Sequence, residues 1–188
     1  MKPAYLKTKI FLDSGDPNET REAIQLLGFL DGQTTNPSLI SKNPETKGMK
    51  FTKNELLGFY KEVVKEISGL IPNGSVSVEV YADKNTTAEQ MLKQGREMFS
   101  WIPNAHIKFP TTKEGLKTAR IVVNEGIRVN MTLCFSQEQA AAVYSATSSS
   151  KLRHSGNQAS PEHPESLITE TIAIGDSGQD GYQTGQYQ

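Results

Sequence analysis

One cysteine among 188 residues, Cys134, leaves no internal disulfide to form and cannot build a structural zinc site alone. An excess of either charge is missing too. The formal net charge is −1, from 20 Lys and Arg against 21 Asp and Glu, which gives no electrostatic footprint for nucleic acid or anionic lipid. A phosphorylated metabolite stays open, because its pocket needs only one or two local cations. Long apolar runs are also absent: no stretch approaches the roughly 20 residues that span a bilayer. The opening segment, Met1 to Lys9, is polar and mixed, without the apolar core of a secretion signal. A cytoplasmic protein with no membrane or nucleic-acid partner is the expectation. What is present, 36% hydrophobic and 22% charged residues, suits a globular chain with a single core.

Through its first three quarters the chain alternates short strand-like runs with longer helical ones. Strands are expected at Lys9–Asp13, Phe29–Thr34, Val76–Tyr81, Ala105–Phe109 and Arg128–Leu133. Helices are expected after Asp16-Pro17-Asn18 as far as Leu27, over Asn54–Ile67, from Thr86 or Thr87 to about Trp101, over Lys113–Asn124 and over Gln137–Ala146. Gly28 and Gly126 read as helix stops. Five β-then-α units in series imply a parallel sheet, either open and doubly wound or closed as a barrel. The character changes at Ser148. Residues 148–188 are rich in Ser, Pro, His, Gly and Gln, and read as a loop-rich or disordered tail with one strand at Leu167–Ile174.

Side chains alternate across a strand, so parity separates the face that packs on helices from the face that points inward. In the third strand Val76, Val78 and Val80 form the helix-facing set, leaving Ser77, Glu79 and Tyr81 inward. In the fourth, Ala105, Ile107 and Phe109 leave His106 and Lys108 inward; in the fifth, Val129, Met131 and Leu133 leave Asn130 and Thr132. Asp13 ends the first strand, in phase with Phe11. A single polar strand residue is ordinarily a solvated one. Asp, Glu, Lys and Thr aimed at one interior from four strands is a different matter, and barrel enzymes hold their chemistry at the carboxyl ends of the strands.

Desolvation disfavours a charged amine and so favours the neutral form, which attacks a ketone to give a carbinolamine and then an iminium. The iminium draws electrons and lets the neighbouring carbon–carbon bond break. Carboxylates such as Glu79 and Asp13 suit the proton transfers, and Thr132 suits holding the relay water. The plainer alternative for Lys108 is a structural ion pair with Glu79.

Five ordered segments carry a resemblance: Phe11-Leu-Asp13, the run DGQTTNPSLI at Asp31–Ile40, SVEVYA at Ser77–Ala82, HIKFP at His106–Pro110 and VNMTLCFS at Val129–Ser136. Together they resemble the transaldolase family of (β/α)8 TIM-barrel enzymes, from about Lys9 to Ala146. The resemblance implies Lys108 as the Schiff-base residue, Asp13 as the acid/base, and Glu79 and Thr132 as keepers of the catalytic water. Thr34, Asn36, Ser77 and Asn130 would bind substrate hydroxyls. It further implies sugar-phosphate substrates and neither a metal nor an organic cofactor. A carboxylate at Glu79, where the fructose-6-phosphate aldolases carry glutamine, favours transaldolase.

The family's sixth-strand motif, Ser-Pro-Phe-Val-Gly-Arg-like, has no match: Ser160-Pro161 is followed by Glu162-His163. The expected organisation is therefore an incomplete barrel of about five β/α units over residues 1–147, then a divergent tail over 148–188. A shifted reading frame or an unrelated replacement would produce such a break. Completion by homo-oligomerisation, a catalytically silent remnant, a fructose-6-phosphate-aldolase-like lyase and a deoxyribose-phosphate-type aldolase are the alternatives; the Thr-Thr-Asn-Pro turn speaks against the last.

Overall fold

The structure is a computed structural model that describes residues 2–148 and 167–169. Six strands form one sheet in the order of the chain: β1 (Phe11–Asp13), β2 (Gly32–Thr34), β3 (Ser75–Glu79), β4 (Ala105–Pro110), β5 (Val129–Thr132) and β6 (Leu167–Thr169). Every neighbouring pair is parallel. Sequential order decides between the two windings left open by the alternation. A doubly wound sheet reverses its strand order at a switch point, whereas a barrel-type winding adds each strand on the same side. The architecture is an incomplete barrel, with no pairing between β1 and β6 among the described residues.

The strand expected at Leu167–Ile174 is present over Leu167–Thr169, beyond the five β/α units. Leu167–Thr169 pairs in parallel with β5, in the register Val129↔Leu167 and Met131↔Thr169. Backbone pairing there occupies the strand edge that β5 would otherwise leave open. The rest of the expected strand, residues 170–174, lies outside the described residues, as does most of the tail.

Helices α1 (Pro17–Leu27), α2 (Pro37–Ser41), α3 (Lys53–Leu70), α4 (Ala88–Phe99), α5 (Lys113–Asn124) and α6 (Gln137–Thr147) follow the strands, with a 3-10 turn at Pro44–Thr46. Their ends are set by local chemistry. Asp16 accepts from the Asn18 N–H ahead of α1, and Gly28 ends that helix at φ 75°, a left-handed conformation that favours glycine. Thr52, Thr87 and Ser136 form capping boxes with Glu55, Gln90 and Gln139. The core is the helix-facing side of the sheet: Val76, Val78, Val80, Ile107, Phe109, Val129 and Met131 are all buried against the helices. Gly95 on α4 admits the Phe109 ring, whose Cζ would lie 2.8 Å from a Cβ at that position. With that side committed to packing, strand parity turns every alternate residue the other way. No helix among the described residues is long and apolar enough to cross a membrane.

Candidate active site

Register places the inward residues in rungs. Asp13 lies opposite Thr34, Thr34 opposite Ser77, and Ser77 opposite His106. One rung further toward the carboxyl ends, Glu79, Lys108 and Asn130 stand side by side on β3, β4 and β5. Thr132 sits above Asn130, opposite Pro110. The candidates chosen by parity thus occupy neighbouring positions on one face.

Lys108 is 4% exposed, and its Nζ lies 3.6 Å from Glu79 Oε2. The Glu79 side chain keeps 21% exposure, so the pair sits at the mouth of the interior rather than deep within it. Ser77 and Asn130 are fully buried, and the Asn130 amide donates to Ser77 Oγ at 3.0 Å. That bond joins β3 to β5 over the top of β4. Strands two apart in a flat sheet lie about 9–10 Å from each other, so this contact needs the inner face to be concave. Asp13, at the exposed end of β1, accepts the Thr34 hydroxyl proton at 2.6 Å.

Asn36 does two things at once. Its Oδ1 caps α2 by accepting from the Leu39 N–H at 2.8 Å, which is the turn role its place before Pro37 suggests. The cap fixes the amide, and its Nδ2 donors have no hydrogen bond among the described residues. Thr132 is anchored through its carbonyl, which accepts from the Thr111 N–H at 2.8 Å and the Thr111 hydroxyl at 2.7 Å. Directly after it, Leu133 takes φ 61°, the single described non-glycine residue with positive φ, where the chain leaves β5. Such a conformation costs about 1–2 kcal/mol in an ordinary residue.

One residue beside the site has a role that periodicity does not reveal. Tyr60 belongs to the apolar stripe of α3, and its ring is buried edge-on against Trp101 at 6.0 Å. Its hydroxyl reaches Thr35 Oγ1 at 2.7 Å and the Glu79 N–H at 2.9 Å. Burial pushes the phenol well above its ordinary value. A tyrosine in a helical stripe signals only core; nothing in the pattern reports where its oxygen goes. Among the described residues, no group of three or more His, Cys, Asp or Glu could hold a metal ion. Tyr81 lies past the end of β3, 41% exposed.

A buried amine beside a carboxylate, ringed by hydroxyl and amide groups at the carboxyl ends of parallel strands, can attack a carbonyl and move protons around it. Comparison with known proteins identifies a family. Residues 10–168 match the family described as Transaldolase/Fructose-6-phosphate aldolase. A "Probable transaldolase" of Dehalococcoides mccartyi is 41% identical over 132 residues, covering 70% of this chain and 54% of that protein. Proteins of the same description from Rhodospirillum centenum and Sorangium cellulosum are 42% and 41% identical over 132 residues, covering 49% and 53% of their lengths. The chain spans about half the length of the curated relatives it matches.

Proposed function

This chain belongs to the transaldolase/fructose-6-phosphate aldolase family, and from that membership we propose that it transfers a dihydroxyacetone unit from a ketose phosphate to an aldose phosphate through an imine on Lys108. The observation that carries the reading is the placement of Lys108: nearly sealed on the inner face of β4, with Nζ 3.6 Å from the Glu79 carboxylate.

In the proposed sequence, Nζ adds to the ketose carbonyl carbon and the carbonyl oxygen leaves as water, giving an iminium. Asp13 takes the proton from the hydroxyl on the far carbon of the bond to be cleaved, the β-carbon counted from the iminium carbon. That oxygen becomes an aldehyde, the carbon–carbon pair moves into the iminium to form an enamine, and an aldose phosphate departs. The enamine attacks the acceptor aldehyde, and Asp13 returns its proton to the new hydroxyl. Glu79, with Thr132 as partner, activates the water that adds to the new iminium and frees Lys108. Thr34, Asn36, Ser77 and Asn130 hold the substrate hydroxyls.

A second reading has its own support: β6 is built from Leu-Ile-Thr rather than from the motif that supplies the family's phosphate-binding arginine. On that reading the chain binds sugar without turnover. A lyase that releases the three-carbon unit instead of transferring it is a third, disfavoured by the carboxylate at Glu79. Borohydride reduction in the presence of fructose 6-phosphate, followed by peptide mass mapping, separates them. An adduct on the peptide containing Lys108 supports imine chemistry, and its absence from folded protein sinks it. Adding an aldose phosphate as acceptor then distinguishes transfer from simple cleavage by the products formed.

A further inference from the structure

Strand β2 ends at Thr34, and the chain then turns away into α2, capped by Asn36. Strand β3 runs on to Glu79. The last rung between them is the Thr35 N–H to the Ser77 carbonyl, 3.0 Å. Along β3, the N–H groups of Val76 and Val80 serve the β4 side, so that of Glu79 points toward the place β2 has vacated. A buried donor left there would cost about 1–3 kcal/mol. The Tyr60 oxygen fills the place, accepting the Glu79 N–H at 2.9 Å.

The direction of the remaining bonds follows from counting protons. The Thr35 hydroxyl donates to the Ser77 carbonyl at 2.7 Å, and a carbonyl can only accept. Its one proton is therefore used, and the 2.7 Å contact with Tyr60 must carry the phenol proton toward Thr35. One chain results: Glu79 N–H to Tyr60 hydroxyl, Tyr60 to Thr35, Thr35 to the Ser77 carbonyl. It ties α3 to both strand ends that bear inward candidates, and it stays protonated because burial holds the phenol above its ordinary range.

We propose that Tyr60 is a positioning residue for Glu79, replacing the missing strand neighbour so that the carboxylate is held beside Lys108. This inference rests on the imine reading for its kinetic consequence, but its structural half stands alone. Tyr60 touches no substrate and acts through the backbone of Glu79.

The test compares wild type, Tyr60→Phe, Glu79→Gln and the double variant in rapid mixing with fructose 6-phosphate, with borohydride quenching and quantitation of the Lys108 adduct. Tyr60→Phe slows adduct formation about tenfold, the scale of one buried hydrogen bond. In the Glu79→Gln background the same change adds less than about twofold, since residues acting through one group are not additive. Equal slowing in both backgrounds marks a merely structural role and overturns the proposal, as does a Tyr60→Phe rate equal to wild type. Amide hydrogen exchange reads the anchor without turnover: Tyr60→Phe loses protection at Glu79 while Val78 and Val80 keep theirs. If wild type gives no adduct, the imine reading fails and exchange alone decides the anchor; unchanged protection at Glu79 overturns it. Should Tyr60→Phe not fold, Thr35→Val removes the acceptor of the phenol proton and carries the same expectations.

Discussion

Gly115→Ala probes the close approach of α5 to the end of β4. Gly115 is the third residue of α5, and a Cβ there would lie 1.9 Å from the Pro110 carbonyl oxygen, 3.1 Å from its carbon and 3.3 Å from Thr112 Oγ1. Carbon–oxygen contacts run at about 3.3–3.6 Å, so the atoms must part by more than about 1 Å. Helix propensity pulls the other way, favouring alanine over glycine by about 1 kcal/mol. Overpacking against side chains costs about 1–3 kcal/mol. Here the obstacle is backbone at the end of β4, which also accepts the Thr112 N–H at 2.8 Å and lies opposite Thr132. A net loss of at least about 2 kcal/mol is expected, because a rigid obstacle puts the cost at the upper end of that range. Gly58 and Gly69 on α3 have nothing within 4 Å of a built Cβ, so alanine there should stabilise by about 0.5–1 kcal/mol each. Urea denaturation of the three variants gives the comparison directly. A Gly115→Ala protein as stable as Gly58→Ala would show that α5 and the end of β4 part at no cost, and one that loses stability yet forms the Lys108 adduct at the wild-type rate would show that the strand end does not position the amine.

Tyr60→Phe should cost about 1–3 kcal/mol at neutral pH by leaving the Glu79 N–H unpaired. The unfolded chain releases the phenol proton near 10.0 while the folded one holds it higher, so wild-type stability is full below that value and falls as pH rises above it. The gap between wild type and variant should therefore narrow by up to about 1.4 kcal/mol per pH unit above 10; a gap constant to pH 11 tells against a buried, bonded phenol. Phe109→Ala empties a fully buried site against Gly95 and should cost about 3–5 kcal/mol in urea denaturation, whereas Ile121→Ala, 41% exposed, should stay within about 0.5 kcal/mol. Backbone and hydroxyl hydrogen bonds from Thr52 hold Glu55 below its ordinary value of 4.5, so its contribution to α3 is present above that value and lost as pH falls through the lowered one. Glu55→Gln should flatten the acid limb of the stability curve, and an unchanged limb would count against the capping box.

Periodicity made the elements legible because each carries its own punctuation. The expected helix Lys113–Asn124 has those bounds in the structure, and Asp16, Thr87 and Gly28 cap where their side chains and conformations dictate. Parity made the inward set legible as well: Lys108, Asn130, Ser77 and Thr132 are all buried on one face. The short helix at Pro37–Ser41 was not, since five residues give no period and Asn36-Pro37 reads as a turn. Nor was the pairing of Leu167–Thr169 with β5, a contact between segments far apart in the chain.

By itself the amino-acid order determined alternation, capping and which side chains share a face, because each follows from φ/ψ geometry within a few residues. Winding direction, rung alignment and the reach of the Tyr60 hydroxyl to Glu79 came instead from packing in three dimensions. Those depend on how separate strands and helices stack, and no residue encodes its distance to a neighbour it meets only after folding.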